Sequence, residues 1–147
     1  MNEQAIHILL VEDNPGDAFL ISNAFQQRSA TVLHQVTNGK DALHFLHQPS
    51  RTSPLPNLIL LDLNLPQMSG HEVLEAIKTD PDLLHIPVIV LSTSHAQDDV
   101  LRSYQLHANC YLTKPLNLQD TTTMMKSLEQ FWLLRASLPQ HPKLASL

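Results

Sequence analysis

Short apolar runs alternate with longer amphipathic stretches along this chain. The apolar runs cover residues 6–11, 31–36, 58–61, 88–91 and 110–113. Each run has the length of a buried strand, and the stretch that follows it repeats apolar residues at helical spacing. Strands that alternate with helices predict a parallel sheet covered by helices on both faces. We therefore expect an α/β fold of five strand–helix units.

Several helix starts can be located from capping residues. Asn14 precedes Pro15, which suits the first position of a helix, and Asn117 can cap the last helix. The segments 69–72 and 94–97 both have the spacing of a capping box, so we expect Ser69 and Ser94 to be N-caps. The predicted inward faces include Ala18, Ile21 and Phe25 in the first helix, and Val73, Leu74 and Ile77 in the third.

Charge and composition exclude some classes of function. The chain carries 9 Lys and Arg against 14 Asp and Glu, a formal net charge of −5, and its basic residues form no stripe that could neutralise a phosphate backbone. We therefore expect no nucleic-acid partner. No apolar run approaches the roughly 20 residues of a membrane span, and the N-terminal sequence does not resemble a signal peptide. A single cysteine, Cys110, cannot form an internal disulfide. These observations predict a cytoplasmic protein without a membrane partner.

The length of 147 residues is that of one domain. We expect one domain over residues 1–138 and a short tail over residues 139–147, with no room for a second module. The signal or product would then have to leave through contacts with another protein.

Charged and hydroxyl side chains follow four of the five predicted strands. They are Glu12, Asp13, Asp62, Ser92 and Lys114. In an open parallel sheet, ligands bind outside the carboxyl ends of the strands, so we expect these side chains to lie together.

This set of residues favours phosphoryl transfer. Neighbouring carboxylates repel one another unless a cation is present, and Mg²⁺, or Mn²⁺ in its place, prefers oxygen ligands together with phosphate oxygens. A carboxylate can accept a phosphoryl group, which makes Asp62 the candidate nucleophile. Lys114 and Ser92 would bind the phosphoryl oxygens.

The same residues resemble the receiver domain of bacterial response regulators. The matching features are Glu12-Asp13, LILLDLNLP around Asp62, Ser92 after VIVL, and YLTKP around Lys114. The segments LSTSHAQDDV, HANCYLTKP and EQFWLL are most similar to the single-domain regulators of cyanobacterial phytochromes. The resemblance implies a flavodoxin-like, doubly wound sheet of strand order 2-1-3-4-5, with five helices and an extended C-terminal helix.

The resemblance also implies roles for particular residues. Asp62 would be phosphorylated by a histidine kinase, here a phytochrome, and the protein would catalyse only its own phosphorylation and dephosphorylation. The implied metal ligands are Asp13, Asp62 and the backbone carbonyl of Asn64, with Glu12 holding a metal-bound water. Ser92 and Tyr111 match the two switch residues of the family, and the Lys114–Pro115 bond matches one that the family commonly holds in cis. Thr93 departs from the family pattern, because Ala or Gly usually stands at this position.

A homodimer is also expected. Residues 131–134 are four consecutive large apolar residues, and a helix cannot turn all of them toward its own core. In the family that this chain resembles, an extended last helix lies at the dimer contact, so Phe131 and Trp132 are the candidate interface residues. The downstream protein target is not indicated by the sequence.

Three alternatives remain open at this stage. A haloacid-dehalogenase-like phosphohydrolase also uses Asp, Lys and Mg²⁺, but it carries its nucleophile on the first strand and a second Asp two residues later. Here the residue at that spacing from Asp62 is Asn64. A flavodoxin-like FMN carrier would need a phosphate-binding first loop, whereas the loop EDNPGD is acidic. A receiver-like scaffold that is never phosphorylated would need none of these side chains.

Overall fold

A five-stranded parallel sheet forms the centre of the protein. The computed structural model describes residues 5–26, 30–49 and 51–141. The strands are β1 Ile6–Val11, β2 Thr31–Val36, β3 Leu58–Asp62, β4 Val88–Ser92 and β5 Cys110–Thr113. The α-helices are α1 Pro15–Gln26, α2 Gly39–Leu46, α3 Gly70–Lys78, α4 Gln97–Gln105 and α5 Leu118–Leu128. All strand pairs are parallel and the order is β2-β1-β3-β4-β5. This order is the one that the resemblance implies.

The sheet has one apolar cluster on each face. Alternate residues of the strands point to opposite faces, so Leu9 and Leu61 pack with α2 and α3 while Leu10 and Leu60 pack with α1 and α5. The central strands β3 and β4 are buried along their whole length, which explains why their sequences are continuously apolar. The predicted inward faces of α1 and α3 are also buried, and none of those six side chains is more than 2% exposed.

Most of the predicted helix caps are present. Asn14 Oδ1 accepts a hydrogen bond from the backbone N–H of Asp17 at 3.0 Å, and Ser69 Oγ accepts from the N–H of Glu72 at 3.2 Å. Asn117 caps α5 in the same way, by accepting from the N–H of Asp120 at 2.8 Å. Each of these helices therefore begins where its capping residue predicts.

The predicted start of α4 is wrong. The capping residue is Ala96, which offers no side-chain acceptor, and Ser94 lies in the preceding loop. The Ser94 hydroxyl instead donates to Asp99 Oδ2 at 2.5 Å and accepts from the N–H of Ala96 at 3.3 Å. The capping-box spacing is present in the sequence, but Ser94 uses its hydroxyl to order the loop between β4 and α4.

The last helix is extended, as the resemblance implies, but it changes its winding. After Leu128 the chain continues as a π-helical segment over Glu129–Arg135. Within this segment Leu133 is buried, whereas Phe131 and Leu134 are 56% and 59% exposed. The four large residues therefore divide between the core and the surface.

Two further details concern the amino and carboxyl ends of the strands. Asn57 joins the start of β1 to the C-terminal segment, because its amide accepts from the N–H of His7 at 2.8 Å and donates to the carbonyl of Pro139 at 2.9 Å. At the opposite edge, the Lys114–Pro115 bond that the resemblance implies to be cis is trans. The last six residues of the expected tail lie outside the described part of the chain.

Candidate functional site

Three carboxylates meet at the carboxyl edge of the sheet. Glu12 and Asp13 follow β1, and Asp62 is the last residue of the neighbouring strand β3. One oxygen from each of the three lies within 4.8 Å of the other two. Glu12 and Asp62 are buried and Asp13 is exposed. This is the arrangement of oxygen donors that a hard divalent cation prefers, with one side left open for other ligands.

The loop after Asp62 is held by close packing against α3. The N–H of Gly70 donates to the carbonyl of Leu63 at 3.0 Å, and the N–H of Asn64 donates to Asp62 Oδ1 at 3.1 Å. A Cβ atom on Gly70 would lie 2.4 Å from the backbone oxygen of Asp62 and 2.5 Å from the Cα of Leu63. The start of α3 therefore fixes the backbone that carries the Asp62 carboxylate.

Among the described residues, Lys114 is the only one whose ammonium lies among these carboxylates. It follows β5, and its N–H donates to the carbonyl of Ser92 at 2.7 Å, which ties it to the end of β4. Its Nζ donates to Glu12 Oε1 and to Asp17 Oδ2, the latter at 3.0 Å, and lies 3.5 Å from Asp62 Oδ2. The ammonium is therefore nearer to Glu12 and Asp17 than to Asp62.

Burial and neighbouring charges shift the pKa values of Glu12 and Lys114. Burial raises the pKa of the Glu12 carboxyl to about 7, and the neighbouring Asp62 adds to this rise while Lys114 opposes it. Burial alone would lower the pKa of the Lys114 ammonium, but the surrounding Glu12, Asp62 and Asp17 carboxylates raise it above the ordinary value. Lys114 therefore stays charged at neutral pH, whereas the pKa of Glu12 lies well above the ordinary value of a glutamate.

A solvent-open cavity of about 410 Å³ leads to the carboxylates. Its lining residues are Asp13, Asn14, Pro15, Asp17, Asp62, Asn64, Thr93 and Lys114. On one side, Asn64 Nδ2 and Thr93 Oγ1 are 3.5 Å apart. A phosphoryl donor that approaches Asp62 would pass these two side chains.

The two residues that match the family switch share one neighbour. Ser92 is fully buried, and its hydroxyl accepts from the N–H of Ser94 at 3.1 Å. The Tyr111 hydroxyl donates to the carbonyl of Ser94 at 2.7 Å. Ser92 is not among the residues that line the cavity, and its hydroxyl, which accepts from the N–H of Ser94, keeps its own hydrogen to donate.

The structure thus brings together Glu12, Asp13, Asp62, Asn64 and Lys114. Ser92 is buried nearby and does not line the cavity. Phe131 and Trp132 are not among the residues that line this cavity; they lie in the π-helical segment, where their rings form an edge-to-face pair at 5.3 Å. Asp17 is the residue that sequence reasoning missed. Its place in the first turn of α1 is visible in the sequence, but its contact partner is 97 residues away.

Comparison with known proteins decides the family. Residues 8–126 match the family model described as the response regulator receiver domain. The chain belongs to this family. It is 50% identical over 137 residues to the response regulator Rcp1 of Synechocystis sp., a match that covers 90% of this chain and 92% of Rcp1.

Two solved structures of the family are also similar. The Mn²⁺-bound form of Rcp1 superposes with a TM-score of 0.88 at 48% identity, and covers 92% of this chain and 99% of that one. The phosphorylated cyanobacterial phytochrome response regulator RcpA superposes with a TM-score of 0.89 at 45% identity and with the same coverage.

These matches confirm several predictions from the sequence. The receiver fold, the relation to the phytochrome response regulators and the function of a response regulator in phosphorelay signalling are confirmed. The divalent-cation site is confirmed by the Glu12–Asp13–Asp62 cluster together with the similarity to a metal-bound relative. The position of Asp62 at the end of β3 is against a haloacid-dehalogenase-like enzyme, whose nucleophile belongs on the first strand. In the described part of the chain, no helix is long and apolar enough to cross a membrane.

Proposed function

We propose that this receiver accepts a phosphoryl group on Asp62 from the phosphohistidine of a histidine kinase. The observation that carries the proposal is the position of the Asp62 carboxylate. It shares a cavity with Asp13 and Asn64, and Lys114 Nζ lies 3.5 Å from its Oδ2. A buried carboxylate with a cation on one side and a group of oxygen ligands on the other is arranged to act as a nucleophile toward phosphorus.

For the metal we propose the ligands that the resemblance to receiver domains implies. Asp13, Asp62 and the backbone carbonyl of Asn64 would hold the cation, and Glu12 would hold a water bound to it. All are oxygen donors, and the open cavity leaves room for waters and for phosphoryl oxygens, as Mg²⁺ and Mn²⁺ require. When bound, the cation would offset the negative charge of the carboxylates and of the incoming phosphoryl group.

The transfer needs little else from the chain. A carboxylate oxygen of Asp62 forms the new bond to phosphorus while the bond from phosphorus to the imidazole nitrogen of the donor breaks, and the imidazole leaves with the electron pair. Lys114 donates hydrogen bonds to the phosphoryl oxygens as charge accumulates on them in the transition state. The chemistry that we propose is limited to this transfer and to hydrolysis of the acyl phosphate, in which water takes the phosphoryl group and the Asp62 carboxylate is restored.

The consequence of phosphorylation would reach the surface through Ser94. A phosphoryl group on Asp62 offers an acceptor to the Ser92 hydroxyl, which now accepts from the N–H of Ser94. The Tyr111 hydroxyl is bound to the carbonyl of the same residue. Movement of the Ser94 loop would therefore change both switch residues and the start of α4 together.

The kinase is proposed to be a phytochrome, because Rcp1 and RcpA are similar over almost the whole chain and RcpA is a phytochrome response regulator. We further propose a homodimer in the cytoplasm. Exposed Phe131 lies beside half-buried Trp132, and both line an apolar groove with Cys110, Leu112, Met124 and Leu128. Contact with a second copy would cover this surface.

Incubation with Mg²⁺ and acetyl phosphate, followed by intact mass measurement, tests the proposal. We expect an acid-stable, base-labile increase of one phosphate that Asp62→Asn abolishes. A receiver-like scaffold would acquire no phosphate at all. Transfer of label from a light-responsive kinase then tests the phytochrome partner, and faster transfer from a kinase of another class would overturn that part.

A further inference from the structure

Asp17 is the one carboxylate at the cavity that the proposed chemistry does not use. It lies in the first turn of α1, and its backbone N–H is already bound by the Asn14 cap at 3.0 Å. A carboxylate at this position complements the helix dipole wherever it points. Here, however, it points into the cavity, where Oδ2 accepts from Lys114 Nζ at 3.0 Å.

The Lys114 ammonium has three N–H groups and three carboxylates around it. It donates to Glu12 and to Asp17, and it is 3.5 Å from Asp62, at which distance no hydrogen bond is formed. The side chain of Lys114 is only 10% exposed, so water competes little for these contacts. The Lys114 ammonium therefore lies beside Asp62, but its hydrogen bonds go to Glu12 and Asp17.

Phosphoryl transfer requires N–H groups of Lys114 that point toward Asp62. One of the three N–H groups donates neither to Glu12 nor to Asp17, but the hydrogen bonds to those two carboxylates fix the direction of all three. Turning the ammonium toward a phosphoryl group on Asp62 therefore strains or breaks the Lys114–Asp17 hydrogen bond, which is charge-assisted and partly shielded from water.

We propose that Asp17 is a positioning residue that restrains Lys114 before phosphorylation, and so slows the reaction of Asp62 with phosphoryl donors. This rests on the function proposed above for Asp62. Asp17 acts through Lys114, because its carboxylate is bound to Lys114 Nζ. Its removal should speed phosphorylation, whereas removal of a group that aids transfer would slow it.

The test is the rate at which Asp62 gains phosphate from acetyl phosphate at fixed Mg²⁺, pH and ionic strength. We expect Asp17→Asn to react about threefold to tenfold faster, because the substitution keeps the size and the helix start but removes the charged acceptor. Asp17→Glu, which retains a carboxylate that can reach Lys114, should restore a rate close to that of the original protein.

Two controls separate this role from a general effect of charge. Asp120→Asn removes a carboxylate from the first turn of α5, where it is bound by Asn117 and not by Lys114, and should change the rate by less than about twofold. In a Lys114→Met background, Asp17→Asn should give no increase, because there is no ammonium to release.

The outcomes are distinct. An Asp17→Asn rate that is unchanged or lower overturns the proposal, and so does an equal increase in the Lys114→Met background, which would assign the effect to charge alone. If the original protein gains no phosphate on Asp62, the proposed function has failed. If it gains phosphate at the same rate with or without Asp17, only the role of Asp17 has failed.

Discussion

Lys114 Nζ lies 3.5 Å from Asp62 Oδ2, at the carboxyl ends of two strands that are not neighbours in the sheet. β4 separates β3 from β5, and the long lysine side chain crosses that distance. The N–H of Lys114 is bound to the carbonyl of Ser92 at the end of β4, so all three strands position this pair.

Replacing Lys114 should affect phosphoryl transfer more than metal binding. We expect Lys114→Ala to bind Mg²⁺ at least as tightly as the original protein, because a positive charge leaves the carboxylates. Phosphorylation by acetyl phosphate should slow by about 10- to 100-fold, since the cation beside Asp62 that would meet the charge on the phosphoryl oxygens is lost. Calorimetry and intact mass spectrometry measure the two effects, and Lys126→Ala, on the exposed side of α5, is the matched control. Loss of Mg²⁺ binding with an unchanged rate would reverse the assigned role.

Metal affinity should depend on pH through Glu12. Its pKa is raised to about 7 by burial and by Asp62, so the metal-free folded protein holds a proton that the unfolded chain releases near pH 4.5. The free energy of unfolding of the metal-free protein should therefore fall as the pH rises from about 4.5 to 7.

Mg²⁺ binding should displace this proton, so its affinity should rise about tenfold between about pH 6 and pH 8. Isothermal titrations in two buffers of different ionisation enthalpy would detect the released proton. Glu12→Gln should lose this pH dependence. A variant that retained it would show that another group releases the proton.

The packing of Gly70 against Asp62 gives a prediction for stability. A Cβ at residue 70 would lie 2.4 Å from the backbone oxygen of Asp62, so Gly70→Ala must move the loop after β3. We expect a loss of about 1–3 kcal/mol in the free energy of unfolding, with weaker Mg²⁺ binding.

Gly16→Ala is the control for this change. Its added Cβ would approach only Asn14 Oδ1, at 3.3 Å, on an exposed helix turn. Chemical denaturation should place it within about 0.5 kcal/mol of the original protein. Equal losses at both positions would mean that the clash at Gly70 does not determine stability.

The oligomeric state tests the apolar surface of the last helix. Sedimentation velocity should show a dimer for the original protein and a monomer for Phe131→Ala combined with Trp132→Ala. Because Trp132 is half-buried against the core, Phe131→Glu provides a second variant that leaves this packing intact. Phe19→Ala removes an aromatic ring of similar exposure from α1 and should leave the dimer unchanged. An unaltered dimer in both helix variants would move the interface elsewhere.

The sequence predicts those parts of this protein that depend on local pattern. Strand bounds, the caps at Asn14 and Asn117, and the group of side chains at the strand ends all follow from residue order and from the rule that parallel strands end at one edge. The π-helical winding after Leu128 and the partner of Asp17 do not. Both depend on packing between segments that are distant in the sequence.

The loop over residues 48–57 shows the same limit. Its prolines predict a loop, but they do not predict which contacts hold that loop in place. Arg51 lies over the Phe45 ring at 5.3 Å and donates to the carbonyls of Phe45 at 2.8 Å and Ser53 at 2.9 Å, so one guanidinium joins the end of α2 to the loop. No spacing in the sequence identifies these acceptors in advance.

The most direct measurement is to locate the phosphoryl group. After phosphorylation with acetyl phosphate and Mg²⁺, borohydride reduction converts an aspartyl phosphate to homoserine, which peptide mass spectrometry can assign to one position. The account predicts homoserine at residue 62 and at no other position, and none in protein treated without the donor. Homoserine at Asp13 or Asp17, or a phosphate that resists reduction and stays on a serine or histidine, would contradict it.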